Sequence, residues 1–204
     1  MIRRRVLRVL LVTGVTLGLG GWWLHHAAPP LVLGPGVVRA QGTPTLPPFR
    51  LEATRGVFSN AELQGRWTFL LFGYTHCPDV CPTDLALLDR VTRALAQQGQ
   101  ERLQVVFVSV DPQRDSLALL GRFVPAFNPA FVAATGSDES LQALTKPLGA
   151  YFVRNEQEGP GYSVDHTSAV YLVDPQGRLQ ASFQMPQTPQ QMARDSLSLM
   201  RFGR

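Results

Sequence analysis

From residue 49 onwards, hydrophobic residues follow two alternating patterns along the chain. Near-continuous apolar runs, which are typical of buried central strands, predict strands at 67–74, 104–110 and 131–134. Apolar residues at every third or fourth position predict helices between and after these strands, at 82–98, 115–123 and 137–148. This alternation indicates a mostly parallel sheet that is covered by helices.

The C-terminal part of the chain departs from this alternation. Residues 168–173 and 179–183 flank the sequence Asp174-Pro175-Gln176-Gly177, and a Pro/Gly turn between two apolar runs predicts a β-hairpin. Thr188 and Pro189 then have the preferences of an N-cap and a first helical residue. The order β-α-β-α-β-α followed by β-β-α predicts a thioredoxin-like α/β sandwich.

The first 48 residues have a different character. Arginines precede an apolar stretch at 9–24 that two tryptophans close, as in membrane segments with cytoplasmic charge and interfacial Trp. We predict a retained signal anchor, a transmembrane helix, at 1–28; the alternative is a cleaved signal peptide, but no good small-x-small site follows directly. A Pro/Gly-rich tether is predicted at 29–48 and the thioredoxin-like domain at 49–204.

This N-terminus predicts a single pass through the inner (cytoplasmic) membrane, with the domain on the periplasmic side, where thiols tend to oxidise.

Lys and Arg number 19 and Asp and Glu 15. The excess of four is accounted for by four N-terminal arginines, Arg3, Arg4, Arg5 and Arg8. The rest of the chain is neutral, which argues against a nucleic-acid partner.

The two cysteines of the chain, Cys77 and Cys81, lie between a predicted strand and a predicted helix. Residues four apart on a helix lie on one face, so the thiols are expected to be close together. A helix N-terminus stabilises a thiolate, and we expect a lowered pKa at Cys77 or Cys81. The pair is suited to a redox disulfide or to a soft metal ion. A structural disulfide is the alternative, although such bridges usually join distant segments.

His166 lies just before the first strand of the predicted hairpin, where the fold should bring it to the start of the cysteine helix. Two thiolates and one imidazole favour copper, as Cu(I) or Cu(II). Zinc is the alternative metal, but structural zinc usually takes four protein ligands. His76 is a second candidate for the imidazole, and Met185 is a candidate additional soft ligand or a core residue.

Three separated motifs resemble the signature of the Sco/SenC family of copper chaperones. They are Phe72-Gly73-Tyr74-Thr75-His76-Cys77-Pro78-Asp79-Val80-Cys81-Pro82, then Val108-Ser109-Val110-Asp111-Pro112-Gln113-Arg114-Asp115, then Val164-Asp165-His166-Thr167. The resemblance implies a membrane-tethered, thioredoxin-like protein that binds one copper through Cys77, Cys81 and His166. It also implies that the protein serves assembly of the CuA centre in subunit II of cytochrome c oxidase.

The same resemblance implies a role for Asp111 near the metal, either in the charge of the site or in orienting a ligand. The alternative is a cap on the following helix. Asp79 and Asp84 are expected to stabilise the start of the cysteine helix. Asp165 is expected either to orient His166 or to bond to N–H groups of a turn.

Two functions remain open at this point. A metallochaperone would receive copper from a donor protein and pass it on by ligand exchange. A thiol–disulfide reductase would instead use Cys77 as the attacking thiol and Cys81 as the resolving thiol, and would depend on a thiol reductant. His166 distinguishes the two functions, because a reductase should tolerate its loss.

Overall fold

The computed structural model describes residues 31–155, 157, 159 and 161–202. The predicted anchor at 1–28 lies outside this range and remains a prediction. Within the described residues, none of the helices combines the length and the hydropathy needed to cross a bilayer.

The described residues contain ten strands. In chain order these are β1 (Val37–Arg39), β2 (Arg50–Ala53), β3 (Gly56–Ser59), β4 (Trp67–Gly73), β5 (Leu103–Ser109), β6 (Val132–Thr135), β7 (Phe152–Arg154), β8 (Val164–His166), β9 (Ala169–Val173) and β10 (Leu179–Gln184). Eight form one sheet in the order β1-β10-β9-β4-β5-β6-β2-β3, and β7 pairs with β8 in a separate ribbon. Strand β4 runs parallel to β5 and antiparallel to β9, and β5 runs parallel to β6.

Five α-helices accompany the strands in the described part of the chain. They are α1 (Asn60–Leu63), α2 (Val80–Ala96), α3 (Leu117–Phe123), α4 (Asp138–Thr145) and α5 (Pro189–Phe202). The three predicted internal helices are confirmed as α2, α3 and α4, with shifted ends. Helix α3 begins at Leu117 because the Ser116 hydroxyl caps it by accepting a hydrogen bond from the Leu119 N–H.

Strand β4 lies in the middle of the sheet, between β5 and β9. All of its residues from Thr68 to Gly73 are buried, which explains the unbroken apolar run that predicted it. Its neighbour β5 is buried over its last five residues. Because β4 and β5 are parallel, their carboxyl ends lie at the same edge of the sheet. Helix α2 begins at this edge.

The segment predicted as a tether at 29–48 is part of the domain from Val37 onwards. Strand β1 pairs antiparallel with β10 at the sheet edge, Thr45 bridges to Arg178, and Leu46 is only 3% exposed. Composition misled the prediction, because three residues are too few to show a period and an edge strand tolerates Pro and Gly nearby.

Replacement of Leu46 by alanine tests this revised boundary. We expect Leu46→Ala to lower the free energy of unfolding by about 2–5 kcal/mol, because a buried leucine loses its packing. The matched variant is Val38→Ala in the same segment, whose side chain is 56% exposed; it should change the stability little. Urea denaturation of both variants measures the difference, and equal small effects would show that the segment is a tether after all.

Candidate metal centre

The candidate site lies outside the carboxyl end of β4, where open α/β sheets commonly bind ligands. Residues 74–79 connect β4 to α2. Cys77 lies in this loop, with its N–H donating to the Tyr74 carbonyl at 3.3 Å, and Cys81 is the second residue of α2. The thiols therefore approach each other because of a loop turn and the first helical turn, rather than across one regular turn of helix as predicted.

The structure brings the three predicted ligands together. The Sγ atoms of Cys77 and Cys81 and a ring nitrogen of His166 all lie within 4.8 Å of one another. The distance from Cys81 Sγ to His166 Nε2 is 3.7 Å, and both thiols are free. Metal bonds of about 2.0 Å to imidazole and 2.3 Å to thiolate would place trigonal ligand atoms about 3.5–4 Å apart. The donor set, two sulfurs and one imidazole, suits copper.

His166 is oriented for metal binding by its own backbone neighbour. It lies on strand β8, where its Nδ1 is 3.2 Å from the Thr167 carbonyl oxygen. A carbonyl can only accept, so Nδ1 carries the proton and Nε2 presents its lone pair to Cys81. Burial lowers the pKa of His166, which keeps the imidazole neutral at neutral pH, as a metal ligand must be.

The predicted lowering of a thiol pKa is wrong for Cys81. Its side chain is 1% exposed, and this burial raises the pKa of the Cys81 thiol strongly. Desolvation of the thiolate outweighs the favourable field of the helix N-terminus. A metal ion that binds Cys81 must therefore displace a proton from the sulfur.

The two alternative ligands lie elsewhere. The ring of His76 is half exposed, and its Nδ1 is 3.1 Å from Thr75 Oγ1 and 3.7 Å from a carboxylate oxygen of Asp115. Met185 lines a different cleft together with Pro186 and Gln191. His76 belongs neither to the ligand cluster nor to the cleft at its mouth, and Met185 does not line that cleft.

Asp111 is fully buried beside the site, at the end of β5. Its carboxylate accepts hydrogen bonds from the Tyr162 hydroxyl at 2.6 Å and from Arg114 Nε at 2.5 Å. Arg154 of β7 lies 3.8 Å away and also donates to the Val110 carbonyl. Ser116, not Asp111, caps the following helix, so the cap alternative is wrong. Asp111 instead connects the end of β5 to strand β7 of the ribbon and to the loop before β8, the strand that carries His166.

A stack of planar groups leads from Asp111 towards the imidazole. The guanidinium of Arg114 lies 3.5 Å above the Tyr162 ring and 5.7 Å from the Tyr74 ring. The Tyr74 ring in turn meets the His166 ring edge-on, with a centroid separation of 6.1 Å. Because the Tyr74 ring contacts the His166 ring, it limits how far the imidazole can turn.

Sequence reasoning missed two residues that support the cysteines. Asp115, predicted only as the first residue of the helix at 115–123, is fully buried. Its carboxylate accepts hydrogen bonds from the Thr75 N–H at 2.9 Å and from the Thr75 hydroxyl. Gly73 ends β4, and a Cβ there would lie 2.6 Å from Cys81 Sγ and 2.8 Å from Phe107. The loop motif contains both positions, but only the packing shows that one anchors the loop and the other leaves room for a sulfur.

Three further aspartates were predicted to stabilise the helix start or to orient His166, and the structure confirms these predictions only in part. Asp79 is the N-cap residue of α2, although its side chain makes no capping hydrogen bond. Asp84 lies beyond the first turn of α2, so it does not stabilise the helix start as predicted; burial raises its pKa to about 6. Asp165 accepts a hydrogen bond from the Asn155 amide at 3.3 Å, while the Thr167 carbonyl orients His166.

A methyl group at position 73 should displace the Cys81 sulfur. We expect Gly73→Ala to lower the affinity for Cu(I) by roughly 10- to 100-fold, the range typical of changes around metal ligands. Competition with a chromophoric Cu(I) chelator measures the affinity. Gly121→Ala is the matched control, because a Cβ there has only one ordinary contact at 3.7 Å. An unchanged affinity in Gly73→Ala would show that the site does not depend on this close approach.

The buried carboxyl of Asp84 should make stability depend on pH. Its pKa is about 6 in the fold against 3.8 for an exposed aspartate, so ionisation costs stability as pH rises through this interval. Asp84→Asn should therefore raise the free energy of unfolding by about 2 kcal/mol at pH 7 and have no such effect at pH 4. Urea titrations at both pH values test this, with Glu101→Gln as an exposed control; a gain that is equal at both pH values would contradict it.

Comparison with known proteins places this geometry in a family. The sequence profile of the SCO1/SenC family matches residues 38–201. The mitochondrial SCO2 homologue of Bos taurus is 35% identical over an alignment of 188 positions, which covers 83% of this chain and 66% of the bovine protein. The chain therefore spans just under two thirds of the length of that relative.

Two solved structures are similar in fold. The crystal structure of copper-bound ScoI from Arabidopsis thaliana has a TM-score of 0.72 at 29% identity, covering 78% of this chain and 99% of that one. The apo Sco1 protein from Thermus thermophilus has a TM-score of 0.70 at 32% identity, covering 85% and 98%. These similarities confirm the thioredoxin-like α/β fold, and the profile match over most of the sequence shows that this chain belongs to the SCO1/SenC family.

Proposed function

We propose that this protein is a membrane-tethered copper chaperone that delivers one copper ion to the CuA centre in subunit II of cytochrome c oxidase. The observation that carries the proposal is the convergence of two sulfurs and one imidazole nitrogen, from Cys77, Cys81 and His166, within 4.8 Å. Family membership and the copper-bound Arabidopsis relative support copper as the ion. Delivery to CuA follows from the family resemblance of the three sequence motifs.

The proposed location is the periplasmic side of the inner membrane. It rests on the basic and apolar sequence of residues 1–28, which predicts a signal anchor. A tethered chaperone searches only the membrane surface for a partner, so its effective concentration near a membrane-bound oxidase is raised.

The three ligands differ in how accessible they are to a partner. A cleft of about 310 Å³ opens at the site and is lined by Cys77 and His166 but not by Cys81. A thiolate or imidazole of the acceptor enters through this cleft and meets the copper on the side of those two ligands. Ligand exchange then releases Cys77 and His166 first and Cys81 last; loading from a copper donor protein follows the reverse order.

A thiol–disulfide reductase is the second candidate, and the unequal exposure of the cysteines favours it. Cys77 lines the cleft, whereas Cys81 is almost fully buried behind it. The Cys77 thiolate would attack a partner disulfide, forming a mixed disulfide and releasing one partner thiol. Cys81 would then displace the second thiol and close the Cys77–Cys81 disulfide. The partner is reduced by two electrons, and a thiol reductant restores the pair.

Replacement of His166 separates the two functions. We expect residues 31–204, reduced and kept anaerobic, to bind one copper per chain, and His166→Ala to lose it or bind it far more weakly because one of three ligands is gone. His76→Ala is the matched control, since His76 neighbours Cys77 but faces Asp115, and it should bind copper normally. Metal analysis after gel filtration gives the stoichiometry.

Disulfide reduction is measured on the same variants with a model disulfide peptide. Weak copper binding in the unmodified protein, together with full reductase activity in both histidine variants, would overturn the chaperone proposal and support the reductase. Loss of copper in His166→Ala with retained reductase activity would show that both chemistries use the same cysteines.

A further inference from the structure

Exposed apolar side chains cluster around the candidate metal site. In the part of the chain that the structure describes, six large apolar residues are strongly exposed, namely Val32, Val38, Val80, Tyr151, Val153 and Phe202. Val80 lines the cleft at the site, whereas Tyr151 and Val153 belong to the segment that pairs with β8. The side chains of these three residues are 45%, 59% and 54% exposed, respectively. Apolar residues gathered beside a functional cleft mark a surface for association.

These residues lie on both sides of the cleft. Val80 is the first residue of α2 and lines the cleft together with Pro78. On the other side, Val153 of β7 is the cross-strand partner of Asp165. Tyr151 accepts a hydrogen bond from the Thr167 N–H through its carbonyl. Because side chains alternate between the two faces of a ribbon, Val153 lies on the same face as Asp165, and His166 is on the opposite face. This outer face meets the cleft at Asp165, which lines it.

The cleft itself is acidic. Among the residues that line it, the carboxylates are Asp79 and Asp165, with no lysine or arginine, and both aspartates are exposed. The nearby Arg154 is held by Asp138 at 2.6 Å. A Cu(I) ion between two thiolates would leave one further net negative charge at the centre, which adds to the charge of the two aspartates.

We infer that Pro78, Asp79, Val80, Tyr151, Val153 and Asp165 form a docking rim for a partner protein that carries its metal-accepting thiols or imidazoles within a basic surface with apolar residues at its centre. This inference rests on the proposed transfer of copper and specifies the chemistry of the protein that receives or supplies it. Opposite charge raises the rate of encounter, and the apolar contacts then hold the two metal sites together.

The charge of the docking rim argues against two other occupants. A second copy of this chain would bring the same acidic rim and the same negative site against the first, which is repulsive in a two-fold arrangement. An anionic membrane surface carries the same sign and attracts basic segments instead. A basic protein partner is therefore the occupant that the charges favour.

Two synthetic acceptor peptides test the charge preference directly. Both contain the same Cys-x3-Cys pair and two leucines, and one is flanked by lysines and the other by glutamates. We expect Cu(I) transfer from the loaded protein to be roughly tenfold or more faster to the lysine peptide at low salt. The difference should largely disappear near 1 M salt, where the Debye length is about 3 Å. Stopped-flow measurement of the Cu(I)–thiolate absorption change gives the rates.

Variants of the rim assign the preference to these residues. Asp79→Asn combined with Asp165→Asn should remove most of the preference for the lysine peptide, whereas Glu101→Gln, an exposed acid outside the cleft, should retain it. Copper loading is measured first for each protein, so a failure to bind copper counts against the proposed function and not against the rim. Equal rates for both peptides with the unmodified protein overturn the inference, as does a preference that survives the double substitution.

The apolar part of the rim is tested at high salt, where charge contributes little. Val80→Ser and Val153→Ser should each slow transfer to the lysine peptide, and replacement of its leucines by serine should slow transfer from the unmodified protein. Val38→Ser, which is exposed but lies on β1, is the control and should transfer at the normal rate. Unchanged rates in both rim variants would restrict the rim to its two carboxylates.

Discussion

The arrangement of the site depends on one buried carboxylate, whose charge must be compensated by neighbouring groups. Asp111 has no exposed surface, and an unpaired charge there would cost several kcal/mol. Its partners are Arg114, Arg154 and Tyr162, which come from three different segments of the chain. Satisfying this one charge therefore fixes a turn, the strand β7 and the loop before β8 relative to the end of β5, and β8 presents the imidazole ligand.

A second buried carboxylate has the same function for the other half of the site. Asp115, four residues after Asp111, holds the backbone and side chain of Thr75 and so fixes the loop that contains Cys77. One short segment thus positions the imidazole through its first aspartate and the thiols through its second. Neither carboxylate belongs to the ligand cluster, which leaves that cluster with two sulfurs and one imidazole nitrogen.

Sequence patterns predicted the elements whose residues are all buried or regularly spaced, such as β4 and α2. The convergence of Cys77, Cys81 and His166 was also predicted, because topology placed His166 near the cysteines and the motifs added the family resemblance. Short edge elements did not follow, since β1 and β7 have three residues each and no detectable period. The raised pKa of the Cys81 thiol was not predicted either. It results from burial by side chains from distant segments, and no local sequence pattern encodes this desolvation.

The hydrogen bond between His166 and the Thr167 carbonyl has a consequence for how the site responds to its environment. The imidazole is preorganised, because its lone pair already points towards the metal site. Ordering the imidazole therefore costs little entropy when an ion binds. The thiol of Cys81 is the opposite case, because it must give up a proton. Occupancy is then a competition between a soft cation and hydrogen ions for sulfur, and a lower pH would shift that competition towards release.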